Sequence, residues 1–144
     1  MPNTIPANLD EAKLAALVDR FYQKVRVDPL LGPIFNPRVN DWGAHKVLMT
    51  SFWATAVLRT GHYRGNPLAR HQPLPIGVEH FQRWLALWRQ TADELLDAES
   101  TALMVGYAER IGYGMRVGMG LTDHLRGRES GIPIRARQSA ATTR

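Results

Sequence analysis

Asp41 to Pro75, DWGAHKVLMTSFWATAVLRTGHYRGNPLARHQPLP, concentrates the residues of this chain that can do chemistry. His45 lies inside a run of large apolar side chains, and His71 lies between Pro67 and Pro73. An imidazole can carry a proton, donate or accept a hydrogen bond, or bind a metal near neutral pH. Two of them on successive elements can face each other across a flat ligand. Tyr22 and Trp84 add a phenol and an indole on apolar faces elsewhere, where a buried O–H or N–H needs a partner.

The elements that must position these groups can be read from spacing. Trp42, His45, Met49, Phe52, Trp53, Ala56 and Val57 recur at intervals of three and four, one face of a helix capped by Asp41 and running to about Arg59. On that face His45 is either a satisfied core or boundary histidine or a group turned toward a ligand. Thr60 to Gly77 is too rich in glycine and proline for a long helix. Within it Asn66 is a good N-cap, Pro67 suits the first helical position, and Pro73 pushes Gln72 out of helical space, which predicts a very short helix. His71 near its end can donate one ring N–H to a free carbonyl of the preceding turn, leaving the other nitrogen for a metal. The plainer alternative is a surface histidine in a proline-bounded loop.

Upstream, Asn8 with Glu11 reads as a capping box opening a helix with Leu14, Leu17, Val18, Phe21, Tyr22 and Val25 on one face. Tyr22 is there either a core tyrosine bonded to a backbone carbonyl or a donor to a ligand. Asp28-Pro29 ends this helix, and Leu30 to Phe35 make a compact turn bringing Leu30, Leu31, Ile34 and Phe35 to one corner. From about Val78, Phe81, Trp84, Leu85, Trp88, Ala92, Leu95 and Leu96 form another apolar face. Ser100 begins a last helix to roughly Leu125, with Met104, Ala108, Ile111, Met115 and Met119 together. Its five glycines, at 106, 112, 114, 118 and 120, oppose it at up to about 1 kcal/mol each relative to alanine. Close approach of a neighbour would account for one or two.

Composition narrows the functions. The 144 residues suit one domain with a single substantial core. No run of about 18 apolar residues exists to span a membrane, and the start MPNTIPANLDEAK does not read as a secretory signal, so a cytoplasmic protein is expected. With no cysteine, disulfides, thiolate nucleophiles and Cys-x-x-Cys-His attachment of haem are excluded. Any haem is held non-covalently, with histidine the first choice of axial ligand. Of the net charge of +5, residues 127–144 carry four arginines against one glutamate, leaving +2 on the body, so nucleic acid is not an expected partner. That tail is small and polar and reads as disordered. A haem-free metal enzyme using His45, His62, His71 or His80 lacks a His-Glu-x-x-His pattern, and no nucleotide-binding glycine motif occurs. A cofactor-free helical interaction module with a basic tail is the remaining alternative.

Four segments in order, FYQKVRVDPLLGPIFN (Phe21 to Asn36), DWGAHKVLMTSFW (Asp41 to Trp53), YRGNPLARHQPLP (Tyr63 to Pro75) and HFQRWLALW (His80 to Trp88), resemble the truncated haemoglobins of group III. The likeness runs from about Leu14 to Leu96, well over half of the chain. It implies an all-α, shortened globin fold over residues 1–126, with helices packed around a haem pocket, a short proline-bounded proximal turn, and a tail from 127 to 144. It further implies haem b with His71 as iron ligand, Tyr22 and Trp84 as donors to the bound ligand, and Phe35 packed on the haem face. His45 would be a gate or donor, or a sixth iron ligand. Met49 would cap the distal pocket and Phe52 and Trp53 supply its wall, with Lys46, Tyr63 and Arg70 nominated for the haem propionates. The partners implied are oxygen, nitric oxide, carbon monoxide and a reductase, with peroxide or nitric oxide chemistry as an extension.

Overall fold

The computed structural model describes residues 5–121; the tail expected at 127–144 lies outside them. Among the described residues six α-helices form, in order α1 (Glu11–Val27), α2 (Gly32–Phe35), α3 (Trp42–Trp53), α4 (Pro67–His71), α5 (Val78–Leu95) and α6 (Ala98–Gly118), and a π-helical turn, Ala54–Leu58, extends α3. Among the described residues there is no strand. α5 packs along α6, and α1 lies across both α3 and α5.

Short polar side chains set the helix starts. Asp41, Asn66 and Asp97 accept the backbone N–H of Ala44, Ala69 and Ser100, each three residues on, which satisfies one of the donors that a helix start leaves orphaned. At α1 the expected cap is displaced by two residues. Asp10, in extended conformation, accepts from the Lys13 N–H, while Asn8 donates its amide to the Asp97 carboxylate at 2.6 Å. A carboxylate nearer the first turn is the stronger acceptor, and Asn8 instead ties the start of the domain to the α5–α6 corner. That corner likewise opens α6 from Asp97, not from Ser100, whose side chain is buried.

Two further boundaries differ from expectation. The helix from Asp41 stops being α-helical after Trp53; the Thr60 N–H reaches back to the Ala54 carbonyl at 3.4 Å, and Arg59 turns the chain in left-handed conformation (φ 65). Such π turns admit one extra residue and redirect the chain beyond them. α6 ends at Gly118, well before Leu125. Gly120 has φ +77, its N–H bonds to the Val117 carbonyl and the Leu121 N–H to the Arg116 carbonyl, the paired bonds of a Schellman stop. Gly118 allows a close approach: a Cβ there would come within 2.7 Å of Leu68 Cδ2. The end of α6 thereby lies against α4, the short helix that carries His71. For Gly106 and Gly114 the structure offers no packing reason.

The core is centred on Trp88, which is fully buried. Its indole stacks on Trp53 (centroids 4.5 Å apart, planes at 17°) and receives the edge of Phe21 at 5.0 Å, and its N–H bonds to the Met104 carbonyl at 3.2 Å. Leu14, Leu17, Val18 and Val25 of α1 and Met104 and Ala108 of α6 close around it. Burying one large aromatic side chain of this kind stabilises by roughly 1.5–3 kcal/mol, with offset and edge contacts adding about 0.5–1.5 kcal/mol per pair.

Candidate functional site

One side of this core opens into a cavity lined largely by apolar side chains from α1, α2, α3, α5, α6 and the segment around α4. Seven of the residues expected at a site border it: Tyr22, Phe35, Met49, Phe52, Trp53, His71 and Trp84. The rest stand back from its wall.

His71 is the last residue of α4, and its Nδ1 lies 2.7 Å from the Pro67 carbonyl one turn earlier. A carbonyl oxygen only accepts, so Nδ1 carries the hydrogen and Nε2 keeps its lone pair. The ring is thus oriented as a metal ligand by its own helix. Among the described residues no three histidine, aspartate or glutamate side chains come together to hold a metal ion. An iron bound through His71 would need its remaining equatorial ligands from elsewhere, as from a porphyrin.

Tyr22 reaches the cavity from α1 and Trp84 from α5. Among the described residues, no group hydrogen-bonds to the Tyr22 hydroxyl or the Trp84 indole N–H; both make ring contacts only. Burial pushes the Tyr22 phenol well above its usual range, so it stays protonated and can donate. The expectation that a core tyrosine would bond to a backbone carbonyl is not met. Gly112 of α6 lies beside Trp84 on the cavity wall; a Cβ there would make ordinary contact with ring carbon Cζ3 at 3.6 Å, so the ring does not require glycine.

His45 does not border the cavity. Its ring packs edge-on against Tyr22 at 5.3 Å and against Trp42 at 5.5 Å, and Tyr22 and Trp42 are themselves 5.5 Å apart. The Arg26 guanidinium lies over the outer side of Trp42 at 5.2 Å. Burial, then the nearby charges of His71 and Arg70, lower the His45 pKa and favour its neutral form. Of the cavity residues it touches Tyr22, ring edge to ring face.

Lys46 is engaged outside, its ammonium 2.7 Å from Asp19 of α1. Tyr63 packs on Phe52 at 5.2 Å, and its backbone N–H bonds to the Thr55 hydroxyl. Arg70 is exposed. Sequence reasoning missed Phe21, Leu31, Ile76, His80, Phe81, Ile111, Gly112 and Met115 as cavity residues. Ile111 and Met115 were legible as one apolar face of α6, but whether such a face meets solid core or a cavity depends on the helices opposite. His80 carried a faint signal, three residues after Gly77 at a helix start.

The cavity wall is braced by a partly buried ion pair. Asp28, 7% exposed, accepts the backbone N–H of Leu30 and Leu31 and pairs with Arg83 Nε at 2.7 Å. This bolts the turn holding Leu31 and Phe35 to the helix carrying Trp84. Burial alone would raise the Asp28 pKa, but the Leu31 N–H, the Arg83 guanidinium and the Leu30 N–H together hold it below the usual carboxylate value.

The bacterial-like globin family model matches residues 9–111. The chain is 34% identical over 108 residues to the group 3 truncated haemoglobin ctb of Campylobacter jejuni, covering 72% of this chain and 85% of that protein. This chain belongs to the bacterial-like globins, as a truncated haemoglobin of group III. The crystal structure of the group III truncated haemoglobin from Campylobacter jejuni superposes on this globin with TM-score 0.75 at 30% identity, over 84% of this chain and 98% of that one. Similarity extends to the group 2 truncated haemoglobin YjbI of Bacillus subtilis, 32% identical over 105 residues (70% of this chain, 79% of that protein). It extends also to the thermostable haemoglobin of the actinobacterium Thermobifida fusca, with TM-score 0.64 and 31% identity over 73% and 89% of the two chains. Globin membership implies haem binding, in place of the cofactor-free module. Among the described residues no helix is long and apolar enough to cross a membrane.

Proposed function

We propose that this globin holds haem b through His71 and binds oxygen and other diatomic ligands on the side of the cavity that Tyr22 and Trp84 face. The observation that carries the reading is the pairing of one preset metal-ligating imidazole with two hydrogen-bond donors, lacking partners among the described residues, in a single apolar cavity. Haem held there would supply an iron able to bind a diatomic molecule and to leave partial negative charge on it.

The protein's part is to hold and to polarise. The Pro67 carbonyl fixes the His71 ring and strengthens its free nitrogen as a donor to metal. Phe35, Met49, Phe52 and Trp53 exclude water and keep the local dielectric low, which strengthens any hydrogen bond made inside. Tyr22 donates its O–H and Trp84 its N–H to the negative end of the ligand. Each such bond is worth about 0.5–1.5 kcal/mol, up to about tenfold in affinity. His45, packed on Tyr22, steadies that hydroxyl.

Absorption spectra of the ferric, ferrous and carbonmonoxy forms test the reading, alongside His71→Ala. The expected result is a Soret band in the unaltered protein and loss of stable haem binding in the variant. A colourless, well-folded protein after haem reconstitution sinks it.

A second activity, on peroxide or nitric oxide, is favoured by the same two donors, since groups that hold a ligand by its negative end also assist O–O cleavage. Stopped-flow mixing of the ferric protein with peroxide is expected to give a transient spectral species; an unchanged spectrum removes the peroxide branch.

A further inference from the structure

Two histidines line the cavity, and the backbone sets their rings in opposite senses. His71 faces a carbonyl through Nδ1, so its hydrogen is on Nδ1 and its lone pair on Nε2. His80 faces an amide: the Gly77 N–H donates to His80 Nδ1 at 2.9 Å. An amide N–H only donates, so the lone pair of His80 is on Nδ1 and its hydrogen on Nε2. One ring is thereby prepared for a metal. The other is prepared for an acceptor and, as long as the Gly77 bond holds, presents no lone pair to iron.

His80 occupies the third position of α5, its ring accepting the N–H of the N-cap Gly77, and its side chain is only 12% exposed. Among the described residues nothing accepts a hydrogen bond from its Nε2; the nearby Glu79 carboxylate lies 3.8 Å from Nδ1, on the ring atom already engaged. The cavity wall on either side, Ile76 and Phe81, is apolar, as are Ile111 and Met115 of α6. A sheltered N–H donor in such surroundings is matched only by an acceptor that the ligand itself brings. In haem the ring nitrogens are taken by iron, and the strong acceptors left are the two carboxylates at one edge. The cations and hydroxyl nominated from sequence for that edge, Lys46, Tyr63 and Arg70, do not border the cavity.

We infer that His80 is a haem-carboxylate ligand of this globin: its Nε2–H, preset by the Gly77 backbone, hydrogen-bonds to a propionate and so helps fix which way round the porphyrin lies. The inference rests on the haem reading proposed for this cavity. It assigns the two cavity histidines by tautomer, His71 to iron and His80 to carboxylate.

His80→Glu is the informative substitution. Glutamate at this helix position is a good acceptor for the Gly77 N–H, so the cap is kept while the donor is lost and a like charge faces the propionate. Haem loss to an excess of apomyoglobin is timed for the unaltered protein and the variant, each loaded with haem or with haem dimethyl ester. The variant is expected to lose haem at least about tenfold faster, as for loss of a charge-assisted bond, and to lose the dimethyl ester at the same rate as the unaltered protein. Equal rates with haem overturn the inference, and so does equal acceleration with the ester, which marks a packing role. Absence of a Soret band in the unaltered protein overturns the haem reading itself; a normal Soret band with equal rates overturns only the role of His80. Should His80→Glu fail to fold, ¹⁵N NMR of the unaltered haem-free protein decides: a hydrogen on Nε2 of His80 is expected, and one on Nδ1 overturns the inference.

Discussion

Trp84 and Trp88 stand one turn apart on α5, their rings nearly parallel (11°) and 6.3 Å apart, yet they belong to different chemistries. Trp88 is fully buried between Trp53 and Phe21, and its N–H is satisfied by the Met104 carbonyl. Trp84 borders the cavity, and its N–H has no partner among the described residues. The same contrast separates Phe21 from Tyr22 on α1, where adjacent rings meet edge-to-face at 4.9 Å: Phe21 is 1% exposed, while the Tyr22 hydroxyl has no hydrogen-bond partner among the described residues. The fold uses one member of each pair to hold itself together and leaves the other's polar group unmatched. A site is made where satisfaction is withheld, at a small cost carried by the neighbouring core.

The contrast is sharpest in what the two tryptophans do to stability. Trp88→Ala is expected to destabilise the haem-free protein by about 3–5 kcal/mol, while Trp84→Phe, which deletes the N–H together with part of a ring that already borders the cavity, is expected to cost clearly less. Urea unfolding of both variants measures this. Comparable losses would mean that Trp84 is core after all.

The Asp28–Arg83 pair should fall between. Arg83→Met leaves a 7%-exposed carboxylate with only its two backbone donors, a loss of about 1–3 kcal/mol. Because folding lowers the Asp28 pKa, the unfolded chain binds more protons once pH falls to about 4. The stabilisation from this group is therefore full above that pH and drains away as pH drops through the folded value. The variant's deficit should accordingly shrink in acid; a deficit constant from pH 7 to pH 3 would assign it to lost packing.

The smallest effects belong to the site itself. Tyr22→Phe should speed oxygen dissociation by up to about tenfold, the worth of one hydrogen bond, with Trp84→Phe similar and the double variant larger than either. Laser or stopped-flow dissociation kinetics read this directly. Unchanged rates in the double variant would remove both groups as ligand donors.

Much of this arrangement is legible in the sequence. Capping by Asp41 and Asn66, the proline-bounded turn and the ring bond that orients His71 depend on residues within four positions of one another, and the apolar faces of α1, α3 and α5 on simple periodicity. Sequence reasoning fails where the partner is remote. Asn8 reads as the cap of its own helix but bonds to Asp97, Lys46 reads as a cavity residue but bonds to Asp19, and His80 carries only a faint mark of the cavity it lines. The glycines toward the end of α6 oppose the helix locally, and only remote Leu68, packed on Gly118, and the positive φ of Gly120 supply a reason for two of them.

By itself, then, the chain of residues determined that helices form, where most begin, and that an imidazole would be held ready beside a proline turn, because these are interactions of a segment with itself. Tertiary packing decided which polar groups were spent on the scaffold and which were left facing the cavity. A hydrogen bond across the fold is a matter of ångströms between residues tens of positions apart, and no local pattern encodes that distance.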